Sequence, residues 1–207
     1  MKFRLIYQGQ LLSDKKGGGF LDARAKHKHE IRKTIHPQLK RLWEISPSLF
    51  LEPEPSIRPG TVEWGKPKYD QTAVGLSENY DRCGYKFVPL INRGNHSICS
   101  VDVLYLRSAA PGSLFSSGDI DNRLKTLFDG LTMPRDRSQL GGYNEPCDNE
   151  KPFFVLLEDD SLITRASVET DTLLQPIDGI LDDNAARVII SVSTGVTQVT
   201  PMNIHLS

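Results

Sequence analysis

The chain has 207 residues, 38% hydrophobic and 25% charged, with a net charge of −1, the profile of an ordinary globular protein. No apolar run approaches the ~20 residues of a membrane span, and charge breaks the opening Met1-Lys2-Phe3-Arg4-Leu5-Ile6 too often for a signal peptide. A membrane protein and a secreted disulfide scaffold are both excluded, because Cys83, Cys99 and Cys147 are odd in number and widely spaced. They suit a reducing cytoplasm.

Charge is spread unevenly. Between Met1 and Arg41 stand eleven lysines and arginines against three acids, so the rest of the chain is net acidic. Such segregation fits either a solvated helix face or a footprint for a polyanion.

Phe3, Leu5 and Tyr7 alternate within Lys2 to Leu12 and predict a strand. The Gly17-Gly18-Gly19 break that follows is no phosphate-binding loop, since no Gly-Lys-Ser/Thr comes after it. Asp22 to Trp43 predicts a basic helix with Ile31, Ile35, Leu39 and Leu42 as its apolar stripe, kinked or divided at Pro37. Arg24, Lys26, Lys28, Arg32 and Lys33 on that helix are the candidate polyanion contacts.

One domain of 207 residues is expected, with insertions at about 45–95 and 132–152. The first is rich in proline, glycine and charge, with short strands conceivable at Thr61–Trp64 and Lys86–Leu90. Ile98 to Leu106 predicts a strand with Val101, Val103 and Tyr105 on one face. Ile120, Leu124, Leu127, Phe128 and Leu131 then make the core stripe of an amphipathic helix. Thr132 to Pro152 reads as a polar loop, and Phe153 to Leu157 as a buried strand. Ser161 to Leu174 fits strand or helix equally, and Ala186 to Ser193 a closing strand.

The chemistry concentrates in Asp119-Ile120-Asp121-Asn122, Lys125 one turn on, and Glu158-Asp159-Asp160 after the short apolar strand. Two residues apart, Asp119 and Asp121 diverge within a helix but can converge at a loop-to-helix junction. Carboxylates ~4 Å apart repel by about 4 kcal/mol at an effective dielectric of about 20. If Asp159 or Asp160 joins them, a hard cation with oxygen ligands such as Mg2+ relieves that repulsion. The ion would activate water and stabilise a leaving oxygen, and Lys125 would offset charge on phosphoryl oxygens. Each piece alone has a plainer reading. An aspartate at a helix start caps it, Lys125 pairs with a neighbouring aspartate, and Asp159-Asp160 makes a turn. An EF-hand loop is excluded because Leu124 stands where glycine is required.

Asp119-Ile120-Asp121-Asn122, Lys125, Asp129-Gly130-Leu131 and the later Asp159-Asp160 resemble the RusA family of Holliday junction resolvases. The resemblance implies an α/β (α+β) fold, a mixed sheet flanked by helices, here carrying long loop insertions. It also implies a homodimer, Mg2+ or Mn2+ as cofactor, and endonuclease activity on branched DNA. Carried over by motif, Asp119, Asp121 and Asp160 would bind metal and catalyse, Lys125 would be the catalytic lysine, and Asp159 and Asn122 would support them. The rival expectation is a nucleic-acid-binding or phage-defence-associated RusA-like protein that does not resolve junctions.

Overall fold

The structure is a computed structural model, and it describes residues 1–12, 21–46, 69–107, 120–175 and 185–200 together with Asn203 and Leu206. Among the described residues two mixed sheets and three α-helices form an α+β architecture. The larger sheet has the order β1-β7-β4-β6, from β1 (Lys2–Gln10), β4 (Ser97–Arg107), β6 (Ile163–Thr172) and β7 (Ala185–Val196). β7 runs antiparallel to both β1 and β4, and β6 runs parallel to β4. The smaller sheet joins β2 (Asp81–Arg82), β3 (Tyr85–Ile91) and β5 (Phe153–Leu157), with β3 and β5 parallel. The helices are α1 (Leu21–Ile45), α2 (Tyr69–Glu78) and α3 (Ile120–Leu131).

Alternation builds the main core. Leu5 and Tyr7 of β1, Val101, Val103 and Tyr105 of β4, and Val188, Ile190 and Val192 of β7 are buried on one face. The same cluster takes in Ile31, Ile35, Leu39 and Trp43 of α1 and Leu127 and Leu131 of α3. Trp43 rather than Leu42 therefore ends the α1 stripe, with Leu42 packed at its margin. α1 runs unbroken through Pro37, which is exposed, so the carbonyl its ring deprives of a partner lies on the side toward water.

The segment expected as an insertion at about 45–95 is in part core. Residues 47–68, including the conceivable strand at Thr61–Trp64, lie outside the described residues. From Tyr69 onward it supplies α2 and β3, and β3 packs beside β5 with Phe87 opposite Phe153. Every residue of β5 and nearly every one of β3 is buried, as strands covered on both faces require. One face joins the main core through Val88, Leu90, Phe154 and Leu156. The other makes a second cluster of Tyr85, Phe87, Phe153 and Val155 with Met133 and Leu140.

Met133 and Leu140 belong to the expected polar loop at 132–152, which is instead an ordered cover over α1 and β5. It carries 3-10 turns at Arg137–Leu140 and Asp148–Glu150. Gly141 approaches α1 so closely that a Cβ there would sit 2.0 Å from the Lys26 backbone nitrogen. Ser161 to Leu174 resolves into a 3-10 turn at Asp160–Leu162 followed by β6.

Candidate functional site

α3 begins at Ile120, so Asp121 falls in its first turn, where a carboxylate also favours the helix dipole. Asp119 lies outside the described residues. Lys125 is exposed one turn further along, while Leu127 and Leu131 turn inward. The opposite wall comes from the end of β5. Its buried strand delivers Glu158, Asp159 and Asp160 to the surface as it leaves the core.

Lys125 and Asp160 line a single cavity of about 480 Å³ between α1, α3 and the 132–152 cover. Arg24 and Lys28 of α1 and Arg135 of the cover line it too. Asp121 is exposed and is not among the lining residues. The cavity thus joins parts of the motif that lie far apart in the chain, with cations more numerous than acids.

The three acids after β5 have different surroundings. Glu158 Oε2 accepts from the Tyr80 hydroxyl at 3.2 Å and the Arg93 amide at 2.8 Å, which ties the end of β5 to α2 and β3. Asp159 caps the turn behind it, accepting from the Ser161 amide at 3.0 Å. Ser161, through its hydroxyl and its amide, holds the Asp159 carboxyl below the usual carboxylate range, with Arg135 and Arg93 adding to the effect. Arg135 Nη2 stands 3.4 Å from Asp159 and 3.5 Å from Asp160. Asp160 is half exposed, at 52% of its side chain, and faces the cavity rather than the turn.

The basic helix divides its cations among several tasks. Lys28 pairs with Asp129 of α3 at 2.7 Å. Arg32 is buried and donates to the carbonyls of Asp129 at 2.8 Å, Thr132 at 2.7 Å and Gln139 at 3.0 Å. Burial pulls its guanidinium down to about 10, so it remains charged while it satisfies the open carbonyl end of α3. Arg32 therefore caps α3 and the cover, and it lines the cavity beside Arg24 and Lys28. Lys33 likewise turns to the cover, 3.0 Å from Glu150 and over the Tyr143 ring at 4.7 Å. Arg24 and Lys28 reach the cavity, and Lys26 is exposed beside Gly141.

Oxygen donors at a half-exposed carboxylate suit a hard cation, and the approach of Arg135 to Asp160 marks a place that attracts positive charge. Among the described residues no three His, Cys, Asp or Glu side chains gather closely enough to hold a metal ion. A set of Asp119, Asp121 and Asp160 needs Asp119, which those residues do not include. Arg135 escaped sequence reading because it lies in a segment that reads as a polar loop. Its one signal is its position just after Pro134 at the close of the α3 motif.

Comparison of the chain with protein-family models, curated proteins and solved structures finds no match. Among the described residues no helix is long and apolar enough to cross a membrane.

Proposed function

We propose that this protein is a RusA-like, Mg2+-dependent endonuclease that hydrolyses phosphodiester bonds in branched or otherwise structured DNA. One observation supports the reading above others: Lys125 and Asp160 line the same cavity, and the cations Arg24, Lys28 and Arg135 share its walls. A phosphodiester entering there meets positive charge on several sides. Lys125 and Arg135 offset the negative charge that grows on the phosphoryl oxygens in the transition state. Arg24 and Lys28 hold the flanking backbone. Asp160, with Asp121 and Asp119, would hold Mg2+ or Mn2+, which supplies an activated water and a stabilised leaving oxygen. Cutting two strands would use two copies of the chain, one site each. The free thiols of Cys83, Cys99 and Cys147 fit a reducing cytoplasm.

A second reading, nucleic-acid binding without cutting, draws on the Arg135 contacts with Asp159 and Asp160. On that view the acids are neutralised from within the protein, and the cavity only docks phosphate.

The two readings separate in a cleavage panel of four-way, flap and linear duplex DNA, with Mg2+ or with EDTA. The nuclease reading expects metal-dependent cutting of a branched substrate. Asp160→Asn, Asp121→Asn and Lys125→Ala should each lower it by about 10²-fold or more. Binding that survives in EDTA, with no cutting under any condition, would favour the second reading. Cutting untouched by chelator and by all three substitutions would remove the metal-carboxylate mechanism.

A further inference from the structure

The cavity between α1, α3 and the cover is small, and its walls are fastened to one another. Its volume of about 480 Å³ falls among pockets that enclose one small molecule, roughly 300–1,000 Å³. Lys28 ties α1 to α3 through Asp129 at 2.7 Å. The buried Arg32 ties α1 to the end of α3 and to the cover, donating to the carbonyls of Asp129, Thr132 and Gln139. Gly141 of the cover rests against the α1 backbone at Lys26, with no room for a Cβ between them. The cover is braced within itself as well. Gln139 Oε1 accepts from the Arg135 amide at 3.0 Å, and the Gln139 amide donates to the Asp136 carbonyl at 3.2 Å. Widening the cavity would break several of these contacts at once.

The fastened walls decide what can enter. The major groove of a DNA duplex is by itself about 12 Å wide, and a paired base cannot reach into a pocket of this volume while it stays in the stack. A nucleotide drawn out of a helix, or belonging to a single strand, can do so. The lining suits such a guest. Arg24 and Lys28 both line the cavity, one turn apart on α1 and so about 6 Å apart along its axis. That spacing lets them follow the backbone on either side of one nucleotide. Met133, which is buried, and Ala25 offer a base an apolar surface, with the soft thioether of Met133 its most adaptable part. Arg24, Lys28, Arg32, Lys125 and Arg135 outnumber the lining acids Asp129 and Asp160, so the pocket is net positive.

We infer that the cavity takes a single unpaired nucleotide, so that the substrates of this protein are DNA strands with nucleotides outside a duplex: flaps, gaps, bubbles and single strands. The inference deepens the reading of the cavity as a phosphodiester site and rests on it. A fully paired four-way junction must surrender a base pair before it fits, whereas a flap need not. Recognition is of an accessible strand rather than of a sequence, because contacts to phosphate carry no sequence information.

Fluorescence anisotropy in EDTA, where metal-dependent cutting is blocked, compares a labelled single strand, the matching blunt duplex, and that duplex with a central bubble. The single strand and the bubble should bind about tenfold or more tighter than the blunt duplex. Ser138→Leu and Ala25→Leu add bulk to the lining without changing its charge. Each should weaken single-strand binding by about tenfold and leave duplex binding unchanged. Ser138 is exposed, so that variant keeps the fold, and thermal unfolding checks both. A blunt duplex that binds as tightly as the single strand overturns the inference and leaves the phosphodiester reading standing. So does single-strand binding that neither folded variant weakens. Failure to bind any of the three DNAs overturns both. The expected preference, with no cutting once Mg2+ is restored, keeps the inference and removes the nuclease reading.

Discussion

At the scale of single residues, one position of the acidic motif and one of the basic helix have structural duties that their neighbours' chemistry conceals. Gly130 stands where α3 crosses α1, and a Cβ there would lie 2.6 Å from Ile31 Cγ2. Gly130→Ala should therefore cost about 1–3 kcal/mol of stability through overpacking, read from the denaturant midpoint, and leave DNA affinity per folded molecule unchanged. Arg32 shows the converse. A cation on a basic helix looks like a phosphate contact, yet each of its three nitrogens donates to a carbonyl at the end of α3 or in the cover. Sequence spacing located the α3 stripe because periodicity is local. It missed the role of Arg32, because the carbonyls it serves come from residues about a hundred positions away.

At the scale of elements, α1 is buried on two sides. The apolar stripe meets the sheet, as its spacing predicted, but a second stripe of His29, Arg32 and His36 is buried as well. His36 accepts from the Phe154 amide at 2.8 Å, and its other nitrogen meets the Asn149 carbonyl at 2.9 Å. His29 is fully buried, stacked on Phe153 with Tyr85 and Tyr143 around it, and neither ring nitrogen has a hydrogen-bond partner. Burial lowers it from 6.5 to about 4, with Arg32 and Lys33 adding to the effect and Glu150 opposing it. His27 and His36 are lowered too, chiefly by burial. A base depressed in the fold stabilises it fully above its unfolded value, so stability should fall as pH drops from about 6.5 toward about 4. His29→Phe keeps the shape and removes the titrating group. The difference in unfolding midpoint between about pH 7 and about pH 5 should shrink in that variant; a difference unchanged would assign the acid sensitivity to the other histidines or to carboxylates.

At the scale of the whole molecule, the basic arm is not one uniform face. Arg24, Lys28 and Arg32 line the cavity, Arg32 being buried and engaged with backbone carbonyls, whereas Lys33 pairs with Glu150 of the cover. In a DNA-binding titration against salt, Arg24→Ala and Lys28→Ala should each reduce the slope of log affinity by about one, and Lys33→Ala should not change it. Equal effects from all three would return the arm to a diffuse electrostatic role. The sequence alone determined the strands β1, β4, β5 and β7, the α3 helix, and the sites of concentrated acid and base, because alternation, helical period and composition are properties of neighbouring residues. Only the tertiary structure decided that β3 is core, that residues 132–152 form a cover, that Lys125 and Asp160 share a cavity, and that Ser161 to Leu174 yields a strand paired parallel with β4. Those outcomes depend on which distant surfaces bury one another, and a linear pattern carries no record of the partner.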